Sequence, residues 1–99
     1  MMESSPDQRS DTRYRHETAI MYEHYPSERY FEGTMFNYSR EGMYFESNFA
    51  PAVGAEIFIG VENSPYTSGH DVYRARVIWH KRLEPSKSLF YHGIGVKYF

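Results

Sequence analysis

Between Val72 and Arg82 the side chains change character at nearly every step. Tyr73, Ala75, Val77 and Trp79 fall on one side, and Arg74, Arg76, Ile78 and His80 on the other. A period of two marks an extended strand, because successive side chains of extended backbone point to opposite faces. Glu17 to Tyr25 reads as a first strand closed by Pro26-Ser27, and Arg29 to Phe36 as a second, with Gly33 as a bulge or a close approach. Met43 to Ser47 forms a third, with Met43 and Phe45 on one face and Tyr44 and Glu46 on the other. Pro51 and Gly54 bracket a turn before Ala55 to Val61, where Ile57, Ile59 and Val61 share a face. Glu62 to Asp71 is a loop rich in Asn, Ser, Pro and Gly. After the Glu84-Pro85-Ser86 turn, Ser88 to Phe99 is the last strand, with Ile94, Val96 and Tyr98 facing inward. Six short, evenly spaced strands without an amphipathic helix predict an all-β chain that closes, or nearly closes, into a barrel. Closure also hides the edges that an aromatic sheet would offer to aggregation.

Composition agrees with strands. Tyr (10) and Phe (7) supply much of the 40% hydrophobic content, a bias that favours sheet and makes aromatics the bulk of the core. Ninety-nine residues suffice for one domain and one core. That domain is assigned to residues 13–99, and the polar stretch 1–12 is read as a flexible N-terminal tail. A formal charge of −2 argues against a general nucleic-acid binder, so any anion site must be local. Cysteine is absent, which removes disulfides and thiolate metal sites. No apolar stretch approaches a membrane span and the polar start is not a signal peptide, so a soluble, cytoplasmic protein without membrane insertion is expected.

Two short elements carry chemistry. Arg9-Ser10-Asp11-Thr12-Arg13 has R-x-x-x-R spacing, and Asn37-Tyr38-Ser39-Arg40-Glu41-Gly42 has N-x-S-x-x-G spacing at a strand-to-strand connection. On extended chain, two arginines four residues apart are separated by roughly 13–14 Å at most. Each guanidinium can fork onto a phosphate or onto the O6/N7 edge of guanine, or lie flat on a purine. Asn37 and Ser39 are short and polar, suited to meeting base edges or to bracing the loop's own backbone. Gly42 supplies a backbone position that a side chain would block, and Arg40 offers a further cation.

Together with Val77-Ile78-Trp79 and Gly93-Ile94-Gly95-Val96, these motifs resemble the PilZ domain family over Arg9 to Phe99. Their order and separation match its signature, R-x-x-x-R followed about one hairpin later by D/N-x-S-x-x-G. The resemblance implies a six-stranded antiparallel PilZ-type β-barrel that receives the bacterial second messenger cyclic di-GMP, with no other cofactor. It further implies that Arg9, Arg13, Asn37, Ser39 and Gly42 contact the ligand, with Arg40 beside them. Asn37 stands where the family often has Asp, so a carbonyl replaces a carboxylate as acceptor, and Gln8 stands where many members have a basic residue.

Other chemistry has less to stand on. The histidines (His16, His24, His70, His80 and His92) lack the paired spacing of a zinc site. No nucleophile elbow or convergent carboxylate pair suggests an enzyme. The aromatic faces, Trp79 included, read as core packing or strand-face covering rather than a nucleic-acid platform. A receptor relaying its signal to a partner protein is therefore the expected function, with a nucleotide-free adaptor as the alternative.

Overall fold

The computed structural model describes residues 12–24, 27–65 and 71–99, and among these every regular element is a strand. β1 (Tyr14–His24), β2 (Arg29–Tyr38) and β3 (Gly42–Ser47) form one meander; β4 (Glu56–Val61), β5 (Asp71–Arg82) and β6 (His92–Tyr98) form another. The meanders join where β3 pairs with β6 and where β1 pairs with β4. The result is a closed antiparallel barrel in the order β1-β2-β3-β6-β5-β4.

Alternate positions on each strand fill the interior. Ile20 and Tyr22, Met35, Met43 and Phe45, Ile57 with Ile59 and Val61, Ala75 and Val77, and Ile94 with Val96 are all buried. Each of the larger of these side chains contributes about 1.5–3 kcal/mol through burial. The inner faces expected for the third, fourth and sixth strands are those observed.

The differences have local causes. β1 begins at Tyr14 rather than Glu17, because Tyr14 and Arg15 find partners in Tyr38 and Asn37. By the same pairing β2 continues through Asn37 and Tyr38, residues expected in the loop. Asp71 opens β5 opposite Val61 instead of closing a loop. β6 begins only at His92, because the preceding residues are drawn over β3. There Ser88 Oγ donates to Glu46 Oε1 at 2.6 Å and the Tyr91 N–H donates to Asn48 Oδ1 at 3.1 Å.

Gly33 is a close approach and not a bulge, since a Cβ there would stand 2.6 Å from the Glu46 carbonyl oxygen. Bulges occur elsewhere: the register shifts between Arg15 and Thr18, between Met35 and Asn37, and between Val77 and Trp79. Each extra residue inverts which face the following side chains occupy. Trp79, expected on the side of Ala75 and Val77, therefore stands on the outer wall at 40% exposure, and neighbouring Ile78 is exposed as well. The expected tail falls almost wholly outside the described residues, as does Tyr25; Thr12 is exposed and precedes β1.

A polar cluster around Tyr22 and Ser47 is sealed inside. The Tyr22 hydroxyl is fully buried, 2.5 Å from the Phe49 carbonyl oxygen that accepts its proton and 3.0 Å from Ser47 Oγ. Ser47 in turn donates to the Glu32 carbonyl at 2.7 Å. Burial pushes the Tyr22 phenol up to about 12 from 10.0, against a smaller downward pull from Ser47. A phenol raised in the folded state contributes stability that is complete below its unfolded value and lost as pH climbs through the folded one. Urea midpoints should therefore hold level up to about pH 10 and then fall by roughly 2–3 kcal/mol equivalent toward pH 12. Tyr22→Phe should cost about 1–2 kcal/mol at neutral pH and shrink that alkaline loss; an unchanged alkaline slope would refute the assignment.

Candidate functional site

The β1–β2 register carries the first motif to the second. Arg13 immediately precedes β1, and Arg15 and Tyr14 pair with Asn37 and Tyr38 at the far end of β2. Across this corner Arg13 Nη1 donates to Asn37 Oδ1 at 3.3 Å, joining residues 24 apart in sequence. Tyr14 and Tyr38 lie with ring centroids 5.5 Å apart, and His16 meets Tyr38 edge-on at 6.1 Å. Arg9 lies outside the described residues.

The turn after β2 is fixed from within. The Ser39 N–H donates to the Gly42 carbonyl at 2.8 Å, and Ser39 Oγ, fully buried, accepts the Glu41 N–H at 3.2 Å. Of the two uses open to the Ser39 hydroxyl, bracing the turn is the one the geometry displays. Gly42 presses against the Val96 carbonyl oxygen so closely that a Cβ would collide with backbone. Arg40 stands exposed at the tip of the turn, and Lys97 Nζ lies 3.9 Å from Glu41 Oε1.

The β2 bulge gives the site its wall. By skipping Phe36 in the β3 register, it sets Asn37 opposite Tyr44, on the outer face. Register then runs from Arg15 through Asn37, Tyr44 and Gly95 to Trp79, one row crossing five strands. The two β6 glycines make this row flat. The Tyr44 ring lies over Gly93, where a Cβ would stand 2.5 Å from its hydroxyl, and Trp79 lies over Gly95. The two rings stack at 5.7 Å and 21°. Tyr44 donates to Glu46 Oε2 at 2.7 Å; burial first, then that bond and the Glu46 charge, keep its phenol protonated well beyond the ordinary tyrosine range. Sequence reasoning missed Tyr44, Trp79 and Lys97 as neighbours of the motifs. The available signal was Gly-x-Gly within a strand, which asks for something broad to lie across it.

Residues 7–99 match the model of the PilZ domain. The chain belongs to the PilZ family. No curated protein matches it in sequence. Among solved structures this PilZ domain is similar to the PilZ domain of YcgR from Escherichia coli, determined with c-di-GMP. The TM-score is 0.73 over 93% of this chain and 78% of that one, at 11% identity, so the likeness is one of fold.

Two substitutions separate structure from surface in this PilZ domain. Gly42→Ala should destabilise it by at least about 3 kcal/mol in chemical denaturation, because backbone of β3 and β6 must part. Gly95→Ala should lift the chain's one tryptophan from its bed and red-shift its emission while leaving the far-ultraviolet dichroism of the barrel in place; unchanged emission would mean that the ring does not rest there.

Proposed function

We propose that this PilZ domain is a cytoplasmic receptor for cyclic di-GMP that binds the nucleotide on the outer wall beside the β2–β3 turn and passes the signal to a partner protein. The observation that carries the reading is the Arg13–Asn37 hydrogen bond, which brings the two motifs to one corner of the barrel. A guanidinium so placed supplies paired donors for a phosphate or for the O6/N7 edge of guanine. Asn37 adds an amide that both donates and accepts. The flat Tyr44–Trp79 row offers faces for purine stacking, worth about 1–3 kcal/mol per base. Arg9, four residues upstream of Arg13 in sequence, is the second guanidinium this reading assigns to the ligand. Ordering each residue that closes over the nucleotide costs roughly 1–2 kcal/mol, so the charge-assisted contacts must exceed that sum. The role is binding, and no catalytic step is assigned to it.

Titration calorimetry with cyclic di-GMP tests the reading. Wild type should show saturable heat, with Trp79 fluorescence changing in parallel. Arg9→Ala and Arg13→Ala should each bind at least about tenfold more weakly, the equivalent of about 1.4 kcal/mol. Equal heats in all three proteins would remove the arginines from the mechanism. A wild type that gives no heat would favour the nucleotide-free adaptor.

A further inference from the structure

A groove of about 630 Å³ runs along the outer wall on the β1 side of the barrel. Among the described residues its apolar surface comes from Ala19, Met21, Gly60, Val72 and Phe90. Met21 and Val72 are 48% and 66% exposed, and the Gly60 position leaves room that a side chain would take. Beside Phe90, Leu89 is 93% exposed on a loop that is far from slack. Its base is tied by the Leu83 N–H to the Tyr91 carbonyl at 2.8 Å and by the Tyr91 N–H to Asn48 just past β3, and Ser88 within it is tied to Glu46 of β3. Single exposed apolar side chains are ordinary, but several that line one groove beside a pinned apolar loop mark a recognition surface.

The rim of the groove specifies the charge of what fits. Glu32 and Glu62 line it, both are exposed, and neither has an ion-pair partner among the described residues. β5 adds a third carboxylate, Asp71, beside Val72 in the groove lining. The nearest β5 cation, Arg74, is ion-paired with Glu56, and Arg74 and Arg76 are stacked over Phe99 at 4.4 and 4.8 Å. Carboxylates on the rim repel phosphate, so a nucleotide or nucleic acid is the wrong occupant. An apolar floor with an acidic rim complements apolar side chains flanked by lysine or arginine.

We infer that this groove is a docking site for a cationic, apolar-tipped segment of a partner protein, with Met21 as its floor and Glu32 and Glu62 as its charge-reading rim. The surface is separate from the Arg13–Asn37 corner and works without nucleotide.

Methyl NMR on full-length protein labelled at methionine tests this in nucleotide-free buffer, so its outcome is independent of the calorimetric one. The probes are a short synthetic peptide of alternating lysine and leucine and its glutamate–leucine counterpart. The lysine peptide should shift the Met21 methyl saturably, and more weakly as salt rises. The glutamate peptide should leave it unmoved. Glu32→Lys combined with Glu62→Lys should weaken the lysine peptide by about tenfold, and Met21→Lys, an exposed change, should weaken it comparably. An unmoved Met21 methyl, an equal response to both peptides, or unweakened binding by the variants would overturn the assignment. So would a Met21 shift that grows with protein concentration alone, which would give the groove to a second copy of the chain.

Discussion

The pairing of β3 with β6 is the constraint on which the molecule depends. It joins the two meanders, and it is tightest at Gly42, whose backbone sits against the Val96 carbonyl oxygen. The same residue ends the turn that carries Arg40, and its carbonyl receives the Ser39 N–H. One close approach thus fixes one of the barrel's two seams and sets the shape of the turn at the candidate site. A family motif that reads as a ligand signature is, at its Ser and Gly positions, also a structural clamp. The polar side chains left to face outward are Asn37, Arg40 and Glu41.

The wall beside that turn shows how irregularity makes a surface. A regular two-residue alternation would send Trp79 toward the core, and the bulge at Ile78 sends it outward instead. What makes the exposed position tolerable is Gly95, which gives the indole a flat bed, while Gly93 does the same for Tyr44. Glu46 holds Tyr44 through its hydroxyl and Ser88 through a second oxygen, so the loop before β6 and the aromatic row share one carboxylate. The row is built from parts of β3, β5 and β6 that no single stretch of sequence contains.

This also explains how much could be read in advance. The inward faces at Met43 and Phe45, at Ile57, Ile59 and Val61, and at Ile94 and Val96 follow from alternation, a property of each strand by itself. The bulges at Phe36 and Ile78 do not, because each depends on what the neighbouring strand presents. Strand ends were misjudged for a similar reason: Tyr14 is extended because Tyr38 lies opposite, and Ser88 is not because Glu46 holds it elsewhere. Of the candidate site, the family resemblance implied that Arg13 and Asn37 contact one ligand; that they bond to each other is visible only in the fold. The burial of Ser39 became visible only in three dimensions, and Arg9 lies outside the described residues.

The division of charge between opposite walls has a consequence for kinetics. β1 and β2 carry Arg15, Arg29, Glu17, Glu23 and Glu32, a formal −1, whereas β5 and β6 carry Asp71, Arg74, Arg76, Lys81, Arg82 and Lys97, a formal +4. Such a particle has an electric moment across its waist even though its net charge is only −2. A nearby anion exerts a torque on the barrel as well as a pull, which biases its cationic flank to face forward before contact forms. Over distances beyond about 8 Å at physiological ionic strength that guidance fades, which confines it to the last moments of an encounter.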